Sequence, residues 1–189
     1  MIWIALVPLK PEAGRKTRLA AALDPADRVA LSYRLFDRVC AALRPHAAIC
    51  VVSPAPPPGW TGRWIKDTGE GLNAALEAAL AEVGAGPVVI VHADLMFVEP
   101  DDISALLAAA ESSGAAIAPD GADSGTNALA LADGRRPALV FGADSFARFG
   151  ATLGQPHAVV RRPGLAQDCD TPDDLRRLAG GSRDAGGQG

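Results

Sequence analysis

Three aspartates and a short basic stretch carry most of the chemistry that this sequence offers. Asp94 stands just beyond the apolar run Val88–Val91. A carboxylate at the end of such a run is costly to bury unless it meets a cation. It reads either as a divalent-metal ligand or as a turn cap ahead of Pro100. Asp168 and Asp170 are two residues apart in a stretch that reads as extended. Residues i and i+2 of an extended chain share a side. The pair therefore either shares a cation or forms a solvated acidic turn. Magnesium accepts carboxylate and phosphate oxygens together, which suits a nucleotide site.

Lys10, Arg15, Lys16 and Arg18 crowd one N-terminal stretch. Such a cluster can hold a polyphosphate even on an acidic protein. Lys10, Lys16 and Arg18 are the candidate phosphate contacts, with a solvated basic loop as the alternative. Gly14-Arg15-Lys16-Thr17 is not a P-loop, which needs Gly directly before the Lys and a second Gly five residues earlier. Two further turns suit an anion. Gly125-Thr126-Asn127 offers backbone N–H groups and a hydroxyl. Phe141-Gly142-Ala143-Asp144-Ser145 offers the free N–H groups of a helix start. Each also reads as an ordinary turn or cap. His46, His92 and His157 have no metal-ligand spacing, and no Gly-x-Ser-x-Gly nucleophile motif occurs. Thr171-Pro172-Asp173-Asp174 has the pattern of helix initiation: an N-cap, a Pro at the first helical position and a capping-box acid.

The elements that must position these residues follow from periodicity. Strands are expected over 2–7, 48–52, 63–65, 88–92, 115–118, 127–131 and 158–161. Helices are expected over 27–43, 72–83, 101–112, 144–153 and 172–179, and 164–169 reads as extended. Strands alternating with helices imply a mostly parallel sheet covered on both faces. Ligands of such sheets bind at the carboxyl ends of the strands, where Asp94 falls. The sequence reads as one domain over 1–179. The Gly-rich polar tail, 180–189, is expected to be disordered.

The 189 residues suffice for one sizeable core. The formal net charge of −4 does not indicate a nucleic-acid surface. Three cysteines, Cys40, Cys50 and Cys169, fit neither a zinc site nor a disulfide framework. No membrane span is read in the apolar runs, and a reducing cytoplasm is the expected setting.

Several segments occur together in order: Val7-Pro8-Leu9-Lys10, Lys16-Thr17-Arg18-Leu19, Gly71-Leu72-Asn73, Ala93-Asp94-Leu95, Gly125-Thr126-Asn127-Ala128-Leu129, Phe141-Gly142 with Ser145-Phe146, and Asp168-Cys169-Asp170-Thr171-Pro172-Asp173-Asp174-Leu175. In these the chain resembles the phospholactate or phosphoenolpyruvate guanylyltransferases of coenzyme F420 biosynthesis, within the MobA-like nucleotidyltransferases. The resemblance implies a single-domain, three-layer Rossmann-like nucleotide-diphospho-sugar transferase fold with a mostly parallel mixed sheet. It implies transfer of GMP from GTP to a small phosphorylated acid, with pyrophosphate released. It implies Mg2+ on Asp94, Asp168 and Asp170, and Lys10, Lys16 and Arg18 facing the GTP phosphates. It implies Asn73 near the nucleoside, and Thr126, Gly142 and Ser145 on the acid's phosphate or carboxylate. A homodimer, and hand-over of product to the next transferase of the pathway, are further implications. His92, Met96 and Phe149 depart from the family's usual Asp, Pro and His and bear on acceptor and base preference. A nucleotidyltransferase acting on another phosphorylated acceptor, such as a sugar phosphate, and a non-catalytic nucleotide binder are the alternatives.

Overall fold

β4 (Val88–Val91) is buried at every position and lies in the middle of a seven-stranded sheet. The computed structural model describes residues 2–12, 16–154 and 156–184, without the side chains of 181–184. Before β4 come β1 (Trp3–Pro8), α1 (Pro25–Leu43), β2 (Ala47–Ser53), β3 (Arg63–Lys66) and α2 (Leu72–Val83). After it come α3 (Pro100–Ser113), β5 (Ala115–Pro119), β6 (Thr126–Leu131), α4 (Ser145–Thr152), β7 (Ala158–Val159), α5 (Pro163–Ala166) and α6 (Pro172–Asp184). The strand order is β3-β2-β1-β4-β6-β5-β7. β6 runs antiparallel to β4 and β5, whereas every other pairing is parallel. The sheet is thus mostly parallel and mixed, as expected.

Alternation along the strands divides the core into two layers. Ala5, Val7, Val89 and Val91 face α1 and α3, which contribute Phe36, Val39, Ile103 and Leu106. Leu6, Val88 and Ile90 face α2 and α4, which contribute Leu76, Leu80 and Phe149, with Leu153 just after α4. A third, smaller cluster of Leu19, Leu31, Leu35, Met96 and Cys169 lies apart from both.

Local sequence sets the helix starts. Asp24 caps α1 by accepting from Asp27 N at 2.8 Å, with Pro25 at the first turn. Glu99 and Asp102 form a reciprocal capping box at α3. At α6, Asp174 accepts from Thr171 N at 2.8 Å and from Asp170 N at 3.1 Å. Thr171 Oγ1 accepts in return from Asp174 N at 3.3 Å, so this motif initiates the helix as read.

Two differences from the sequence reading exceed a residue or two at an element's end. The stretch expected to be extended over 164–169 begins with the helical turn α5. Pro163 supplies a pre-set φ for that turn, and Gly164 lets it press onto the start of α3. A Cβ at Gly164 would lie 2.8 Å from Phe97 O and closer still to the Asp102 carboxylate. The last helix continues to Asp184, past the expected end at 179. Residues 185–189 of the expected tail lie outside the described residues, as do Gly14 and Arg15 of the basic stretch.

Candidate active site

The carboxyl ends of β1 and β4 open on one edge of the sheet, and the candidate residues gather there. A cleft on this edge is lined by Pro8, Leu9, Lys10, Lys16, His92, Asp94 and Asp170, among others. Asp94 reaches it because β4 ends three residues earlier. His92 N donates to Asn127 O at 3.0 Å, which continues the β4–β6 ladder past the strand. Asp168 and Asp170 arrive from far along the chain by a short antiparallel pairing. Met96 N donates to Gln167 O at 2.9 Å, Cys169 N donates to Asp94 O at 3.1 Å, and Leu95 bridges Asp168. Cys169 turns into the third apolar cluster and is fully buried. Its two neighbours therefore turn the other way, toward Asp94.

Asp94, Asp168 and Asp170 each offer a carboxylate oxygen, and the three oxygens lie within 4.8 Å of one another. Burial disfavours ionisation of Asp94 most strongly. The Lys16 ammonium, with His92 and Lys10, outweighs it and holds the carboxyl below its usual range. Asp168 lacks such compensation. Burial, and then the charges of Asp94 and Asp170, push it up to about 6. Asp94 Oδ1 is buried without a hydrogen-bond partner among the described residues. A hard-oxygen trio with a spare buried acceptor fits a divalent cation such as magnesium.

Lys16 Nζ donates to Asp94 Oδ2 at 2.7 Å and to Asp170 Oδ1 at 3.2 Å. Burial lowers its pKa, but the two carboxylates outweigh burial and hold it raised. It is therefore a fixed cation. Arg18 Nη1 reaches Asp170 Oδ2 at 3.4 Å from the solvent side. Lys10 lies two residues past the end of β1, on the wall of the same cleft.

Thr126, Gly142 and Ser145 form an adjacent corner. Thr126 opens β6, one residue before the Asn127 carbonyl that His92 uses. Phe146 N donates to Ser124 O at 3.0 Å, which joins the start of α4 to the β5–β6 connection. Arg161 clasps Asp123 of that connection at 3.0 Å and stacks over the Phe146 ring. Gly142 has φ 126, a region open to glycine, and makes the turn that leads to Ser145. The hydroxyls of Thr126 and Ser145 are buried and unpartnered among the described residues. Unmade hydrogen bonds at buried hydroxyls are costly, and both hydroxyls keep hydrogen-bonding capacity to spare.

Asn73, at the start of α2, uses both ends of its carboxamide on the Phe141 backbone. It donates to Phe141 O at 3.1 Å and accepts from Phe141 N at 2.9 Å. Its visible work is to hold the turn that carries Gly142 and Ser145. His92 is a cleft-lining residue that histidine spacing did not flag. It lines the cleft, its ring rests on Phe141 at 5.1 Å, and its Nε2 is buried without a partner among the described residues. Burial lowers its pKa. Its place just after β4, the signal that singled out Asp94, identifies it too. Phe149 also packs against Phe141, edge-on, with ring centroids 4.9 Å apart. Two of the three departures from the family pattern thus meet at one ring.

A family model described as "Guanylyl transferase CofC like" matches residues 3–151. The chain is 42% identical over 188 residues to a phosphoenolpyruvate guanylyltransferase of Rubrobacter xylanophilus, covering 92% of each. The chain belongs to the CofC-like guanylyl transferase family. A phosphoenolpyruvate guanylyltransferase of Sphaerobacter thermophilus is also 42% identical, over 95% of this chain and 94% of that one. A putative nucleotide-diphospho-sugar transferase from Desulfovibrio desulfuricans superposes with TM-score 0.80 over 97% of this chain and 89% of its own, at 18% identity. The 2-C-methyl-D-erythritol 4-phosphate cytidylyltransferase of Thermus thermophilus superposes with TM-score 0.65 over 97% and 100%, at 20% identity. These likenesses show that the guanylyl transferase family member described here has the nucleotide-diphospho-sugar transferase fold. Among the described residues, no helix is long and apolar enough to cross a membrane.

Proposed function

We propose that the chain transfers GMP from GTP to phosphoenolpyruvate, or to the related acids 2-phospho-L-lactate and 3-phosphoglycerate, for coenzyme F420 biosynthesis. The observation that carries this reading is the carboxylate trio Asp94, Asp168 and Asp170 with Lys16 among them, at the strand ends of a guanylyl transferase family member. The curated relatives named as phosphoenolpyruvate guanylyltransferases support that acceptor.

An oxygen of the acceptor's phosphate attacks the α-phosphorus of GTP. The new P–O bond forms as the bond to the α,β-bridging oxygen breaks, and pyrophosphate leaves. The acceptor phosphate is already ionised at neutral pH, so the step needs no strong general base. Lys10, Lys16 and Arg18 offset charge on the phosphoryl oxygens. Asp94, Asp168 and Asp170 would hold magnesium, which would supply Lewis-acid neutralisation of charge on the phosphoryl oxygens. The Thr126 and Ser145 hydroxyls donate to the acceptor's anionic groups beside Gly142. Asn73 keeps their turn in place at the nucleoside side of the cleft.

Pyrophosphate release from the purified protein should require GTP, magnesium and one of the three acids. Asp94→Asn should lower the rate by at least about 10²-fold, since it removes charge where transition-state charge is handled. Folded protein that releases no pyrophosphate with any of the acids would sink the reading.

A further inference from the structure

Lys16 stands where a phosphate-binding lysine would not be expected to rest. Its side chain is only 6% exposed and its ammonium is aimed into the acids, 2.7 Å from Asp94 and 3.2 Å from Asp170. Its backbone is left-handed, at φ 50 and ψ 38, a conformation that a lysine adopts at a cost. Asp94 and Asp170 are also two of the three carboxylates gathered within 4.8 Å. The ammonium already neutralises two of the carboxylates that a divalent cation would need, and its positive charge opposes that of a cation brought up beside it. Entry of either therefore weakens the hold of the other on Asp94 and Asp170. A buried ammonium that leaves its carboxylates needs another anion, and a phosphate is a strong partner for it.

We propose that Lys16 is a built-in counter-ion that competes with the divalent metal for Asp94 and Asp170 and is passed to the nucleotide's phosphates when the metal enters. Metal and nucleoside triphosphate then bind as a coupled pair, and the metal alone binds weakly. Arg18 does not do this, since it meets Asp170 from an exposed position and leaves Asp94 untouched. The inference rests on the proposed nucleotide reading for the identity of the receiving anion. The competition itself rests on the ion pairs.

Mn2+ titrated calorimetrically into nucleotide-free protein tests the competition. Lys16→Met should bind Mn2+ at least about tenfold more tightly than wild type, because no state of the site is taken by the ammonium. Lys16→Arg, which keeps a cation, should not gain affinity. A lysine with a merely structural role would give no gain in either variant. A wild-type measurement guards against a variant that fails to fold. Acetylation of Lys16, read by mass spectrometry, should be slow in the metal-free protein, rise on saturation with Mn2+ and fall again when GTP is added. Equal or weaker Mn2+ binding by folded Lys16→Met, or acetylation that Mn2+ leaves unchanged, overturns the proposal. If that happens while GTP-dependent pyrophosphate release persists, this inference fails alone. If the competition holds and no acid yields pyrophosphate, the guanylyl transfer reading fails instead.

Discussion

Asp168 is pushed toward its neutral form by burial and by its two acidic neighbours, up to about 6 against an ordinary 3.8. The folded, metal-free protein therefore holds this proton more tightly than the unfolded chain does. The stabilising effect is complete below the unfolded value and is lost as pH rises through the folded one. Asp168→Asn removes the titration and the repulsion together. In EDTA, the melting temperature of Asp168→Asn relative to wild type should rise between pH 4 and pH 7. With saturating Mg2+ the order should invert above pH 6, since the ionised carboxylate is then the favoured form. Thermal melts of both proteins across that range, with and without metal, decide it. A pH-independent difference in EDTA would mean that Asp168 does not feel its neighbours. The three cysteines add nothing to this chemistry. They are buried, and burial pushes Cys40 up to about 12 and Cys169 up to about 11, so neither supplies a thiolate.

Elements matter here chiefly through how they aim turns. Asn73 ties α2 to the turn before α4 with two hydrogen bonds to one backbone residue. Asn73→Ala should cost about 2 kcal/mol, because both Phe141 backbone groups lose partners in a half-buried setting. It should also raise KM for the acceptor about tenfold, through misplacement of Ser145 and Gly142. Metal affinity should stay as it is, since Asn73 touches none of the three aspartates. A KM unmoved in a destabilised variant would confine Asn73 to a structural role. Much of this scale is legible in sequence. Val88–Val91 reads as a central strand, so Asp94 falls at its end, and the Thr171–Asp174 signature marks the start of α6. The helical turn at α5 is not legible, because it depends on Gly164 fitting against Phe97 and Asp102, residues some sixty positions away. Nor is the antiparallel course of β6, since its apolar run has the same pattern in either direction. Met96 is a further case. Its N–H bonds Gln167 O, and a proline at that position has no N–H to give.

At the scale of the whole molecule, the site is assembled from three separated stretches: 16–18, 92–94 and 168–170. Neither main core layer explains their meeting. The third apolar cluster does. Leu19 follows Lys16 and Arg18, Met96 follows Asp94, and Cys169 lies between Asp168 and Asp170. All three are fully buried against Leu31 and Leu35 of α1. Apolar burial thereby converts distant segments into one charged cleft, with α1 as the common wall. Leu19→Ala should cost about 2–5 kcal/mol, the range for a buried leucine truncated to a cavity. So should Leu106→Ala in the larger layer. The two differ in where the loss is felt. In Leu19→Ala, the amides of Met96 and Cys169 should exchange with solvent through local opening. They should do so well before the amides of β1 and β4. In Leu106→Ala, they should exchange no faster than the shared loss of global stability requires. Hydrogen exchange read by mass spectrometry at matched stability separates these outcomes. Equal protection of Met96 and Cys169 in the two variants would mean that the short pairing between 94–96 and 167–169 holds the site together without the cluster beneath it.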